Sequence, residues 1–231
     1  MTDSKKQNNP AKLDAAPLDN TLPANWTHLL DSDAVKRAIA RMSYEIVERN
    51  LVGRNNDHNG DLGRLAIVGI RTCGEFIGKR LRDRISEIEN INVPFGVIDI
   101  TLYRDDLGAS ASQRASASSS NASADTNRQH RQPTVKGTDL PFSISGSRIV
   151  LVDDVFYTGR TVRAALDAII DFGRPACVEL AALLDRGHRE FPIRPDYVGK
   201  NIPTGKQQSV RVRLEEQGFE DGAYLINHGA N

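Results

Sequence analysis

Apolar residues along this chain follow two alternating rhythms. Runs that are apolar at nearly every position, Leu65-Ala-Ile-Val-Gly-Ile70, Ile149-Val-Leu-Val152 and residues 176–184, alternate with segments whose apolar residues recur every three or four positions. Short continuous runs rich in β-branched residues read as strands buried on both faces. Val35, Ile39, Met42, Ile46 and Val47 predict a helix running to about Asn50, capped by Asp31 or Ser32. Phe76, Ile77, Leu81, Ile85 and Ile88 predict a second helix, and residues 162–172 a third, stopped by Gly173 and Pro175. Residues 93–103 read as extended, and strands are expected near 196–198 and 209–212. Strands alternating with helices predict an α/β fold with a mainly parallel central sheet flanked by helices. Ligands of such sheets bind beyond the carboxyl ends of the strands, where Arg71, Asp153 and Asp185 fall.

Two polar stretches break the rhythm. Residues 1–27 carry acids and bases without an apolar signal core and are expected to be a disordered tail. Residues 108–133 are mostly Ser and Ala with scattered polar side chains, too little apolar surface to offset ordering entropy. They interrupt one expected domain, residues 28–231, and do not link two. Lys+Arg and Asp+Glu both number 30, so a globally basic nucleic-acid binder is not indicated, although a local basic face is compatible with neutrality. Cys73 and Cys177 have no metal-ligand spacing and read as reduced thiols of a cytoplasmic protein. No apolar stretch approaches the ~18 residues of a membrane span.

The densest chemistry lies at 149–161. A buried strand delivers Asp153 and Asp154 to its end, and Val155-Phe-Tyr157 leads into the turn Thr158-Gly-Arg-Thr161, which opens a helix. Unpaired N–H groups at a helix start, beside the positive end of its dipole, suit a phosphate. Acids beside such a cradle suit ribose hydroxyls or a bound metal, so a sugar phosphate fits the whole run.

That run resembles the 5-phosphoribosyl-1-pyrophosphate (PRPP) motif of type I phosphoribosyltransferases. Asp99-Ile-Thr-Leu-Tyr-Arg-Asp-Asp106, Val135-Lys-Gly-Thr-Asp-Leu-Pro141, Asp185-Arg-Gly-His-Arg-Glu-Phe-Pro-Ile193 and Asp196-Tyr-Val-Gly-Lys-Asn-Ile-Pro-Thr204 narrow the resemblance to the PyrR family, from about Ala34 to about Leu214. The family pairs uracil phosphoribosyltransferase activity with regulation of pyrimidine genes. The resemblance implies the type I phosphoribosyltransferase fold with a small hood built from chain-terminal segments, and a homodimer or larger homo-oligomer. It implies transfer of PRPP's phosphoribosyl group to uracil, giving UMP and pyrophosphate, with Mg²⁺ carried by PRPP near Asp153 and Asp154. By the same resemblance Asp153 and Asp154 hold the ribose hydroxyls, and Val155 to Thr161 (Val155, Phe156, Tyr157, Thr158, Gly159, Arg160, Thr161) bind PRPP or nucleotide. Arg71, Thr72, Cys73 and Gly74 form the pyrophosphate loop. Arg104 clamps pyrophosphate from an active-site loop, beside Asp105 and Asp106, which read equally as solvated acids. Asp185 and Arg186 face the base site, where Asp185 reads equally as structural. Cys73 departs from the basic residue of many relatives and reads as a packing thiol or a ligand contact. The polar insertion falls in the active-site loop, where added length costs little closure entropy.

The resemblance also implies binding of leader mRNA, promoted by UMP or UTP, at Arg37, Arg41, Arg49, Arg189, Arg194 and Lys200, through phosphate contacts. His188 reads as structural or RNA-facing. Ala40 and Tyr44 stand where RNA-binding members place Thr and His, so two alternatives stay open: a regulator with vestigial catalysis, and a transferase without RNA binding.

Overall fold

The computed structural model describes residues 22–52, 64–103 and 137–228. Its strands are β1 (Trp26–Leu30), β2 (Leu65–Ile70), β3 (Phe95–Ile98), β4 (Arg148–Phe156), β5 (Cys177–Asp185), β6 (Tyr197–Asn201), β7 (Gln208–Arg213) and β8 (Gly222–Asn227); its helices are α1 (Ser32–Val52), α2 (Cys73–Glu89) and α3 (Arg160–Phe172). Residues 1–21 of the expected tail, the 53–63 loop, Arg104, Asp105, Asp106 and the insertion at 108–133 lie outside the described residues; the rest of the expected tail is described, and its Trp26 and Thr27 are strand residues of β1.

Five strands form a parallel sheet in the order β3-β2-β4-β5-β6. Period-two alternation splits its side chains between two cores. Ile67, Val150, Val152, Ala181 and Leu183 pack with α1 and α2 residues such as Met42, Ile46, Ile77 and Leu81. Val68, Ile70, Ile149, Leu151 and Ala182 pack with Ala165, Ala168 and Ile169 of α3. Both faces are covered, which is why these strands are apolar throughout. Asp31 caps α1, its Oδ1 accepting the Ala34 N–H at 2.7 Å.

The strand expected at 209–212 does not complete the parallel sheet. It is β7, which pairs antiparallel with β8, and β8 pairs antiparallel with β1. This hood joins the two ends of the described chain, and Val212, Leu214 and Ala223 continue the α1–α2 core into it. Arg80 of α2 anchors it, with Nε and Nη2 on Glu216 at 2.8 and 2.7 Å and Nη1 and Nη2 on the buried Asp221 at 2.5 and 2.9 Å.

Candidate active site

The strand order reverses between β2 and β4: from β2 the chain steps outward to β3, and from β4 it runs the other way through β5 and β6. A crevice opens at the carboxyl ends of such a pair. Arg71-Thr-Cys-Gly74 leaves β2 there, beside the acidic pair of β4. The Arg71–Thr72 peptide is cis, and the Arg71 N–H donates to the Ile98 carbonyl at 3.1 Å. Gly74 lets α2 lie on β4: a Cβ there would stand 2.4 Å from the Val152 carbonyl oxygen and 3.1 Å from the Asp153 Cα. The structure therefore brings the expected pyrophosphate loop against the expected ribose acids.

Asp153 and residues 155–162 line a cavity of about 280 Å³. Gly159 starts α3 at φ 91°, in the left-handed region that favours glycine. The Thr158 hydroxyl accepts the Arg160 N–H at 3.4 Å, and the helix start faces the cavity Asp153 lines. Burial, and for Asp153 the neighbouring Asp154 charge, raise both carboxyls above the usual range. The Asp154 N–H donates to Asp153 Oδ1 at 3.0 Å. A cluttered multidentate metal cage is absent among the described residues. Two carboxylates raised by burial still fit a cation that arrives with its own oxygen ligands.

Cys73 turns inward. Its Sγ lies 3.6 Å from Gln217 Oε1 in the hood, and burial, followed by the Asp154 charge, pushes the thiol up to about 12. A thiol held neutral in this way supplies no cation for pyrophosphate and no reactive thiolate. Arg71 is the exposed cation of this turn, its Nε 3.4 Å from Glu75 Oε2. Asp99, at the end of β3, is held below the usual range chiefly by the Thr101 hydroxyl, which donates to Oδ1 at 2.6 Å. The two segments that flank the expected active-site loop are pinned together: Val97 and Asp139 exchange backbone hydrogen bonds at 2.7 and 2.9 Å, and the Asp99 N–H donates to Thr138 Oγ1 at 3.0 Å.

Asp185 and Arg186 end β5 but are heavily engaged. Asp185 accepts the Gly187 N–H at 3.0 Å and pairs with Arg189 Nη2 at 2.5 Å. Arg186 is buried, stacked 3.9 Å from the Tyr157 ring centroid, and donates to Thr204 Oγ1 at 3.1 Å and the Gln208 carbonyl at 2.7 Å. In this arrangement Arg186 shapes the wall of the site through Tyr157 and fixes the hood loop. Nε and Nη2 of Arg186 are thus engaged with protein acceptors. His188, at φ 57°, places Nε2 2.5 Å from the Thr204 carbonyl, a structural contact.

Sequence reasoning passed over Glu190 and Phe191. Their N–H groups donate to the Thr158 carbonyl at 2.9 and 3.2 Å, and Glu190 Oε2 holds Arg160 Nε and Nη2 at 2.8 and 2.5 Å. Phe191 Cβ lies 3.4 Å from where a Gly159 Cβ would stand. Only the quoted string around them hinted at a role, because nothing local links 190 to 158.

The expected RNA-facing cations are partly tied down. Arg41 donates to the Val198 and Gly199 carbonyls at 2.8 and 2.7 Å, and Lys200 donates to the Leu29 carbonyl at 3.1 Å. Arg49 pairs with Asp196 at 2.9 Å and with Glu179 at 3.4 Å. Arg41 thus binds α1 to the edge strand β6, Lys200 binds β6 to β1, and Arg49 binds α1 to Glu179 of β5 and to Asp196 just before β6. Arg37, Arg194 and Tyr44 are exposed.

Residues 25–217 match the model of the phosphoribosyl transferase domain. A bifunctional protein PyrR of Listeria monocytogenes is 51% identical over 199 residues, covering 86% of this chain and 95% of that protein. Another bifunctional protein PyrR, of Deinococcus radiodurans, is 48% identical over 198 residues, covering 86% and 91%. Among solved structures, hypoxanthine phosphoribosyltransferase of Trypanosoma cruzi in complex with IMP superposes with a TM-score of 0.55 at 16% identity, over 87% of this chain and 90% of that one, a likeness of fold. With half of its residues shared along most of its length, and with the acidic pair and phosphate turn meeting at the sheet's switch point, the chain belongs to the PyrR family of type I phosphoribosyltransferases.

Proposed function

We infer that the protein transfers the 5-phosphoribosyl group of PRPP to uracil, releasing pyrophosphate, and that it regulates pyrimidine gene expression by binding leader mRNA with a uridine nucleotide. The observation that carries the catalytic reading is the cavity shared by Asp153 and the Thr158–Thr161 turn, with the Arg71–Gly74 loop packed against the same acids. In the transfer, the bond from the anomeric carbon to the pyrophosphate oxygen breaks and a bond to uracil N1 forms. The N1 proton passes to water, and the electron pair of the broken bond departs with pyrophosphate. The sugar carries positive character between these events. Fixed carboxylates nearby stabilise that charge without reorganising, the largest contribution a preformed site can make.

Asp153 and Asp154 hold the ribose hydroxyls in this reading, and the N–H groups of 159–161 take the 5-phosphate. Arg71, together with Arg104 on the loop, meets the pyrophosphate. Mg²⁺, which usually keeps several waters, fits beside Asp153 and Asp154 and neutralises pyrophosphate when bound. Tyr157, backed by Arg186, walls the base side in this reading.

The regulatory part rests on kinship with proteins named bifunctional and on exposed Arg37 and Arg194 beside α1 and β6. Ala40 and exposed Tyr44 alter that face without closing it, since an aromatic ring can stack on an unpaired base. We place the protein in the cytoplasm, as a homodimer or larger homo-oligomer, with the chain from β1 onward as one domain interrupted at 108–133. No helix among the described residues is long and apolar enough to cross a membrane.

The test is UMP formation from uracil and PRPP with Mg²⁺, by wild type and by Asp153→Asn/Asp154→Asn. Wild-type turnover with loss of roughly 10²-fold or more in the double variant is expected. Activity that survives the double change removes the site assignment.

A further inference from the structure

Cys73 and Arg80 stand seven residues apart on α2, two helical turns, and so share one face. That face carries the hood's short 3₁₀ helix, Glu215–Gln217. Arg80 holds Glu216, and two turns earlier Cys73 Sγ lies 3.6 Å from Gln217 Oε1. The 3₁₀ helix is itself fixed: the Glu215 N–H donates to Asp221 Oδ1 at 2.9 Å, and the Gln217 N–H donates to the Leu214 carbonyl at 2.9 Å. On its other side the first turn of α2 is fixed by the sheet. A Cβ at Gly69 of β2 would stand 2.5 Å from the Glu75 Cα, and one at Gly74 would stand 3.1 Å from the Asp153 Cα. Cys73 therefore sits in a seam between the hood and the acid-bearing end of β4, where its thiol also meets the Asp154 carboxylate. Burial raises the Asp154 carboxyl, and a hydrogen bond from the Cys73 thiol is among the contacts that oppose the rise.

We propose that Cys73 and Gln217 are positioning residues for the transfer reaction, through which the hood holds the Asp154 carboxylate in place. The proposal rests on the reading of Asp153 and Asp154 as the acids that hold the ribose hydroxyls. Hydrogen-bond arithmetic gives the chain its direction. The thiol has one proton and two partners, the Asp154 carboxylate and the Gln217 amide. A bond to a charged acceptor is the stronger, so the S–H goes to the carboxylate. The sulfur then accepts weakly, and a half-turn of the Gln217 amide about its last bond presents N–H to it without moving the chain. The order is Gln217 N–H to Sγ, then S–H to Asp154. Burial, first among its causes, pushes the thiol up to about 12, so the donor keeps its proton across the neutral range. A carboxylate held before the sugar gains positive character has no reorganisation left to make. Arg80 and Asp221, which fix the 3₁₀ helix, thereby also support the far end of this chain.

The experiment measures kcat and both KM values for UMP formation from uracil and PRPP with Mg²⁺, in wild type, Cys73→Ala, Cys73→Ser, Gln217→Met and Cys73→Ala/Gln217→Met. Gln217 is exposed and Cys73 only half-buried, so the substitutions leave the fold intact. Cys73→Ala is expected to lower kcat by about 10-fold, the loss of one hydrogen bond to a charged group, with the KM for uracil unchanged. Cys73→Ser keeps a donor and should stay within about 3-fold of wild type. Gln217→Met keeps the length of the side chain, removes the amide and should lower kcat by about 3-fold. The double variant should be no slower than Cys73→Ala, because Gln217 acts through the thiol. Wild-type kcat in Cys73→Ala, a serine variant as slow as the alanine one, or single losses that multiply in the double variant each overturn the proposal. Asp153→Asn/Asp154→Asn separates the two readings. Activity kept in that variant removes the ribose acids and this proposal with them; activity lost there, beside wild-type kcat in Cys73→Ala, overturns the positioning proposal alone.

Discussion

At the scale of single residues, function here is stored as unfavourable placement. Asp153 is 6% exposed and beside Asp154, and burial raises both carboxyls, with the Asp154 charge adding to the rise at Asp153. A carboxyl whose folded pKa lies above its unfolded one favours the fold in its protonated form. That contribution is full below the unfolded pKa and is lost as pH rises through the folded value. At neutral pH the charged pair therefore opposes folding. Asp153→Asn is expected to raise the unfolding free energy by about 1 kcal/mol at pH 7 while transfer collapses, the usual trade at functional charges; the gain should shrink in melts run at acid pH. A variant less stable than wild type at pH 7 contradicts this account. Gly159 illustrates the same placement in the backbone, since its φ of 91° costs an L-residue about 1–2 kcal/mol. For Gly159→Ala, the KM for PRPP should rise more than the KM for uracil, because the change distorts the phosphate turn only.

The run of Asp153, Asp154 and Thr158–Thr161 was readable in the sequence because strand, acids and turn are contiguous, so local chemistry sufficed. Glu190 was not, because its partner Thr158 is 32 residues earlier and only β4–β5 pairing brings them together. Arg186 was placed at the right strand end, but its direction was invisible. Whether a guanidinium faces a ligand or stacks on Tyr157 depends on the hood loop, which the strand pattern does not encode.

At the scale of elements, the parallel sheet was legible in the apolar pattern, whereas the hood was expected from the family resemblance and not from the pattern. Buried parallel strands announce themselves as continuous apolar runs. β1 and β8 are short, half-polar and paired across about 200 residues of sequence, with Trp26 opposite Ile226, so neither has a local partner to mark it. Two glues hold the elements that make the site. Gly74 sets α2 on β4, and Gly74→Ala should cost about 1–3 kcal/mol as overpacking, with the KM for PRPP raised, because a Cβ would stand 2.4 Å from the Val152 carbonyl oxygen. Arg80 fastens the hood to α2 through Asp221, whose side chain is 0% exposed. Arg80→Met leaves that acid buried without its cation and should cost about 3–5 kcal/mol in chemical denaturation, whereas Arg80→Met/Asp221→Asn should recover part of the loss. The Asp221 carboxyl is held below the usual range by Arg80, against the opposing effect of burial. Its contribution is present above the unfolded pKa and disappears as pH falls through the folded value, so the double variant should be less acid-sensitive than wild type.

At the scale of the molecule, a parallel sheet carries the acidic pair and the expected phosphate turn, and a three-stranded antiparallel hood packs on its α1–α2 side. The segment that buttresses the phosphate turn also carries cations read as facing RNA. Hypoxanthine phosphoribosyltransferase of Trypanosoma cruzi shares this fold at 16% identity, so the fold alone does not choose the base. The reading of uracil as the base rests on kinship within the PyrR family. The most direct measurement is a competition: the protein is given PRPP and Mg²⁺ with uracil, hypoxanthine and orotate together, and the nucleotides formed are identified. UMP as the sole product, with stoichiometric pyrophosphate, is the predicted result; IMP or orotidine monophosphate as the main product, or no nucleotide at all, would contradict it.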